Sequence, residues 1–249
     1  MDTMKRGFIS AFLRLFSVQG SWNYERLQGI GAAVCIEPLL RSLPGGRGGS
    51  AYREALGRAA QYFNTHPYFA SIATGAIARA ENDGQTTEQV TRLHSALKAP
   101  LGSLGDQIVW AGLLPAAASC GLVMGLLVGP WWGVVTLLGT FNLVHLAIRL
   151  WGLPTGWRLG MSVGTALRHP VLRFGLRIAR PIGCLALGVA LPLVAEWFVT
   201  GFELSGRFGT ALVAGMTVIC LRWLFPTLGS VRLGGIAVLG ALIVGWLWP

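Results

Sequence analysis

Two short clusters carry the side chains that could do chemistry: Ser21-Trp22-Asn23-Tyr24-Glu25-Arg26-Leu27-Gln28-Gly29 and Phe63-Asn64-Thr65-His66-Pro67. Both sit between apolar, glycine-rich flanks. Trp22 offers a flat apolar face, and Asn23, Glu25 and Gln28 place donors and acceptors beside it. A polyhydroxylated solute such as a sugar needs that combination, an apolar platform with a few convergent polar groups. The competing reading is interfacial anchoring by Trp22 and Tyr24, as in an aromatic belt. In the second cluster Asn64 or Thr65 can cap a helix whose first turn holds Pro67. His66 has the chemistry of a general base or phosphoacceptor. It has no carboxylate or nucleophile at a recognisable spacing, so a membrane-anchored enzyme built on His66 and Asp106 is the weaker alternative.

Asp106 stands at the mouth of the first long apolar run. A carboxylate at the bilayer centre costs about 2.5–3.5 kcal/mol, and much less at the edge of a span. Helix capping and a functional role are both open for it. Asn142, His145 and Arg149 lie about a turn apart inside the second run, where interhelical hydrogen bonding is expected. There is no nucleotide-binding loop, metal motif, nucleophile elbow or Ser/His/Asp signature, which counts against an autonomous enzyme and implies neither metal nor cofactor.

The elements that must position these residues are those of an all-α integral membrane protein. Of the 249 residues, 53% are hydrophobic and only 12% charged, against about a quarter charged in soluble domains. The net charge of +10 does not point to nucleic acid, because the basic residues sit beside apolar spans, where positive charge sets topology. Cys35, Cys120, Cys184 and Cys220 are widely separated in apolar sequence, with no CxxC pair, and read as small buried hydrophobes. Arg14 interrupts the first apolar stretch, and no cleavage pattern precedes the polar cluster, so no cleaved signal is expected.

Residues 4–19 put Phe8, Phe12, Leu15 and Phe16 on one helical face, an amphipathic helix lying on the cytoplasmic leaflet. Segments 27–43 and 67–80 are apolar but shorter than the roughly 20 residues that cross a bilayer, and suit re-entrant hairpins. Leu43 to Gly49 is a flexible connection, and a helix runs from about Ser50 to Phe63. Asn82-Asp83-Gly84 is a turn, and Thr86 with Gln89 starts a polar helix expected to end before Pro100. About five crossings follow, near 107–128, 131–151, 182–202, 208–225 and 233–248. No acid occurs from Gln107 through Ala195, and Arg158, Arg168, Arg173, Arg177 and Arg180 make 152–181 an Arg-rich cytoplasmic loop. The chain thus divides into a cytoplasm-facing region, 1–106, and a transmembrane region, 107–249, with a cytoplasmic N-terminus and an outer C-terminus. Gly152, Gly156, Gly160 and Gly164 form a bare stripe suited to close packing against a partner.

The blocks SWNYERLQG (21–29), YFNTHPYFAS (62–71), PLGSLGDQIVWAGLLP (100–115) and FNLVHLAIRLWGLPTGWRLG (141–160), in this order, resemble the IID component of mannose/fructose/sorbose-type phosphotransferase systems (PTS). The resemblance covers roughly residues 5–165. It implies a multi-pass subunit of the bacterial inner membrane, working in a hetero-oligomer with a IIC-type membrane subunit to conduct a hexose-type sugar. Cytoplasmic IIA and IIB proteins would carry the phosphoryl group, leaving this chain without a catalytic site. Trp22, Asn23, Glu25, Gln28, Asn64, His66 and Asp106 match the family's polar blocks and are the candidate substrate-binding residues. Three features depart from the pattern. Residues 43–50 are glycine-rich in place of a more charged connection, Gln107 replaces a small hydroxyl residue, and Leu114 replaces a basic one. The departures raise an alternative, a structural or regulatory subunit of a degenerate PTS that keeps the fold but does not transport.

Overall fold

The computed structural model describes residues 2–168 and 170–200, together with 220, 221, 223–225, 236 and 239. In chain order the helices are α1 (Asp2–Arg14), α2 (Gly29–Leu40), α3 (Ser50–Ala59), α4 (Ala70–Asn82), α5 (Thr87–Gly105), α6 (Leu114–Leu127), α7 (Pro130–Leu159) and α8 (Pro170–Thr200). A π-helical segment, Asp106–Leu113, joins α5 to α6, and 3-10 turns follow α1 (Leu15–Ser17) and α7 (Gly160–Arg168). Among the described residues there is no strand, only two isolated bridges. Two continuous helical stretches, Thr87–Leu127 and Pro130–Leu167, are long and apolar enough to cross a membrane. The expected crossing at 182–202 falls on α8, and those at 208–225 and 233–248 lie almost wholly outside the described residues.

The chain forms two compact units, one of Met1–Ala111 with Asn142–Arg177, the other of Gly112–Phe141 with the chain from Ile178 onward. In the first, α1 packs on α2, α2 on α3 and α4, and α4 on α5. Its core holds Leu15, Ile36, Leu39, Leu40, Phe63, Phe69, Ile72, Leu101 and Leu153, all nearly inaccessible. Each such side chain contributes roughly 1.5–3 kcal/mol by leaving water. Helix α1 does not simply present an apolar face outward. Ala11 and Leu15 are buried, and Arg14 turns to Glu37 of α2 at 2.8 Å. Glu37 also accepts from Arg41 (2.8 and 2.7 Å), Arg47 (3.1 Å) and the Tyr52 hydroxyl (3.0 Å). One carboxylate thus ties α1, α2, α3 and the glycine-rich connection together. In the second unit, α6 and α7 meet through Gly121 and Gly133 across the Gly129-Pro130 turn.

Local signals are legible where they depend only on neighbours. The Thr86–Gln89 capping box forms reciprocally (Gln89 N–H to Thr86 Oγ1 3.3 Å, Thr86 N–H to Gln89 Oε1 2.9 Å). Gly84 takes φ +70° in the turn before it. Pro100, however, does not end α5, which continues to Gly105. Val90, Leu93, Leu97, Leu101 and Gly105 are buried at three- and four-residue spacing on both sides of the proline. Burial of that continuous face outweighs one lost backbone hydrogen bond. The Arg-rich segment 152–181 is mostly helical, since α7 runs to Leu159, a 3-10 turn follows, and α8 starts at Pro170. The partner of the glycine stripe lies within this chain. A Cβ on Gly156 would strike the Ile72 carbonyl of α4, and one on Gly152 the Ser71 hydroxyl, whereas Gly164 has open space around it.

Candidate functional site

The first polar cluster folds into a tight loop held by its own amide. Asn23 Oδ1 accepts from the backbone N–H groups of Glu25 (3.1 Å) and Arg26 (2.9 Å), and its Nδ2 donates to the Ser21 carbonyl (3.2 Å). An asparagine side chain imitating a backbone turn in this way sets the loop's curvature. Leu27 closes it, donating to the Asn23 carbonyl at 2.8 Å with φ +49°, a left-handed conformation that a branched side chain rarely adopts.

The second cluster is stitched onto the first. Gln28 N–H donates to the Phe63 carbonyl (2.8 Å), and Phe63 N–H to the Arg26 carbonyl (3.2 Å). The Gln28 side chain, 37 residues away in sequence, donates to the Thr65 carbonyl at 2.7 Å and accepts from Thr65 N–H at 3.4 Å. Gln28 is 2% exposed, so its amide is spent on this clamp. Gln28→Ala should leave the Thr65 N–H and C=O unpaired in a buried place, costing about 1–3 kcal/mol. A lowered melting temperature, with faster amide exchange at 63–66 than at 86–90, is the expected reading. Unchanged exchange at 63–66 would mean that the clamp does not hold the loop.

The clamp positions His66, which is 2% exposed. Its Nδ1 accepts from Tyr68 N–H at 3.3 Å, so the neutral ring carries its proton on Nε2. Nε2 has no hydrogen-bond partner among the described residues. Burial pushes the His66 pKa down to about 4; the nearby Asp106 carboxylate opposes the shift and the Arg149 guanidinium adds to it. A ring that stays neutral at neutral pH donates a hydrogen bond and is a poor proton acceptor. Tyr68 lies edge-on at 4.9 Å and Trp110 tilted at 5.5 Å from the His66 ring. A Cβ at Gly105 would overlap the imidazole, so the bare backbone of α5 makes room for it.

The candidate residues therefore divide. Gln28, His66 and Asp106 share one neighbourhood, while Asn23 spends its side chain on the first loop. Trp22 and Tyr24 pack edge to face at 5.0 Å, with Tyr24 almost fully exposed. Glu25 and Asn64 are exposed, Glu25 lying 4.0 Å from Arg26. Two groups were missed as site residues by reading the sequence. Trp110 lies next to His66. Arg149, 4% exposed, is held between the rings of Phe16 (4.6 Å) and Tyr68 (4.9 Å). These ring contacts hold the Arg149 guanidinium, and His145 pairs with Asn142 (3.0 Å) along α7 itself. An arginine within an apolar, acid-free run was the available signal.

Residues 3–224 match the family model described as the PTS system mannose/fructose/sorbose family IID component. The chain belongs to this family. The IID match extends the resemblance read from residues 5–165 to most of the sequence. The chain is 30% identical over 194 residues to the mannose-specific EIID component of Escherichia coli K12, covering 75% of this chain and 66% of that relative. It is 28% identical over 201 residues to the fructose permease IID component of Bacillus subtilis, covering 78% and 70%. It thus spans just under two thirds of the Escherichia coli protein's length. Among solved structures, one titled as the mannose transporter ManYZ in complex with microcin E492 matches with TM-score 0.58 and 21% identity, covering 98% of this chain and 95% of that one. Another, titled as a membrane protein, matches with TM-score 0.66 and 20% identity, covering 99% and 97%. These likenesses establish a shared fold. With its two membrane-length apolar helices, this IID component is a bacterial membrane protein.

Proposed function

We propose that this chain is the IID subunit of a PTS sugar permease. With a IIC-type membrane partner it conducts a hexose-type sugar across the inner membrane, and cytoplasmic IIA and IIB proteins supply the phosphoryl group. Trp22, Asn23, Glu25, Gln28, Asn64, His66 and Asp106 form or brace the sugar's path. The observation that carries this reading is the joining of two polar loops into one hydrogen-bonded assembly. That assembly holds His66 near Asp106, at the start of the wide turn within a membrane-length helix. Polar groups kept at such a place are expensive unless a polar cargo or partner meets them. The short apolar helix Gly29–Leu40 fits a re-entrant hairpin in a cytoplasm-facing region, 1–106. The region 107–249 supplies about five crossings, with N-terminus and Arg-rich segment 152–181 on the cytoplasmic side.

Vesicles carrying this chain with its IIA, IIB and IIC partners should accumulate sugar phosphate, and vesicles lacking this chain should not. Equal uptake without it would favour the transport-inactive alternative. Trp22→Ala or Asn64→Ala should lower uptake about tenfold or more, the equivalent of one lost cargo contact, while leaving membrane insertion intact. Normal uptake by both variants would remove these two residues from the path.

A further inference from the structure

Arg149 of α7 is a permanently charged side chain in a place that supplies no anion. It is buried, and neither its Nε nor its Nη1 has a hydrogen-bond partner among the described residues. Arginine does not escape such a site by losing its proton. The Phe16 and Tyr68 rings that hold it offset only part of the cost of taking the cation out of water. The described acids are engaged elsewhere. Glu37 is gathered by three arginines, Glu81 is held by Arg58 and Asp83 by Arg79. Glu25, Glu54, Glu88 and Asp106 are exposed, and none of them pairs with Arg149.

The surroundings point to the kind of molecule that brings the missing anion. Helix α1 lies along α7, with the Phe8 ring 5.2 Å from Trp157 and the Phe16 ring 6.2 Å from His145. Ile9, Leu13 and Phe16 follow one another at four- and three-residue spacing on α1, and all are at least half exposed. Arg149 stands about 28 Å along α7 from Pro130 at 1.5 Å per residue. That is near the end of a membrane span, where an acid on a neighbouring helix costs little. Lipid phosphates are drawn to open clusters of several Lys and Arg. A single guanidinium enclosed by rings, beside an exposed apolar stripe, fits a carboxylate carried on an apolar helix.

We propose that Arg149 is the docking cation for a membrane-level carboxylate of the IIC-type partner, whose helix seats on Ile9, Leu13 and Phe16. This rests on the proposed pairing with a IIC-type subunit and names a contact that holds it. The half-exposed Phe16 ring is the cover that the partner's side chain displaces, after which the carboxylate oxygens accept from the guanidinium N–H groups. Because the anion comes from outside, the isolated chain and the complex respond oppositely when the charge is removed.

The full-length chain is purified in neutral detergent, its melting temperature is read alone, and its Kd for the purified IIC-type subunit is read by fluorescence. Arg149→Met should weaken partner binding about thirtyfold or more, while the isolated variant melts at the parent's temperature or above it. Arg149→Glu should weaken binding at least as much, and replacing one membrane acid of the partner by Arg should restore it to within about tenfold of the parent. If Arg149→Met lowers the melting temperature of the isolated chain, Arg149 is a strut between its rings and the inference falls. It falls equally if Glu196→Arg or Glu203→Arg in this chain rescues Arg149→Glu, since the pair is then internal. Should Arg149→Met keep the parent's Kd and lose only the stabilisation given by added phosphatidylglycerol, the anion is a lipid phosphate and the inference falls. Parent-like binding by Arg149→Met removes the inference alone. A parent chain that neither binds the IIC-type subunit nor supports uptake removes the proposed function with it.

Discussion

Glu37→Gln is expected to destabilise the first unit by about 3–5 kcal/mol, the range for removing one member of a buried ion pair. The carboxylate is largely buried and faces Arg14, Arg41 and Arg47 as well as the Tyr52 hydroxyl. Losing its charge leaves three guanidinium groups crowded around a neutral amide. Arg41 and Arg47 are partly solvated, so the lower end of that range is the better expectation. In a domain of this size it corresponds to a melting temperature lower by roughly 6–12 °C.

The same group sets an acid limit. The Glu37 pKa is lowered from 4.5 to about 2, first by the Arg41 hydrogen bonds, against the opposing effect of burial, with further help from Tyr52 and Arg14. A depressed carboxylate pKa means that the unfolded chain binds the proton more readily. The stabilisation is therefore complete above about pH 4.5 and is lost as pH falls towards about 2. Thermal melts in detergent through that window should show the parent protein losing stability faster than Glu37→Gln, so that the two curves converge. Parallel curves would mean that Glu37 is not the titrating link.

Gly156→Val should prevent α7 from seating on α4. A Cβ at position 156 would strike the Ile72 carbonyl and come within 2.9 Å of the Ala76 nitrogen. The reciprocal position, Gly75, would place a Cβ on the Leu153 carbonyl and 2.6 Å from the Trp157 nitrogen. These obstacles are backbone atoms, which cannot rotate away as a side chain can. The expected cost is about 3 kcal/mol or more, at the upper end of overpacking in a close-packed core. Gly164→Ala is the control, because nothing lies within 4 Å of its added carbon. Limited proteolysis in detergent should find Gly156→Val cleaved within α4 and Gly164→Ala as resistant as the parent. Similar resistance of both variants would show that the glycines do not serve the α4–α7 contact.

The sequence by itself determined everything that depends on near neighbours or on composition. Scarce charge and membrane-length apolar runs set the class. Thr86 and Gln89 cap α5, and Asn82-Asp83-Gly84 and Gly129-Pro130 turn the chain as their side chains and φ preferences require. The polar blocks at 21–29 and 62–71 marked both the family and the candidate site. What they could not reveal was their mutual pairing, because Gln28 meets Thr65 only after 37 intervening residues have folded. Tertiary packing alone decided that Gln28 is a brace, that His66 is buried and neutral, and that Glu37 gathers three arginines. It also decided that Pro100 lies inside a helix and that Gly152 and Gly156 of α7 serve α4 of the same chain. The physical reason is common to all of these. A cap or turn is satisfied by atoms within a few residues, whereas burial and desolvation are set by surfaces that only the assembled helices bring into contact.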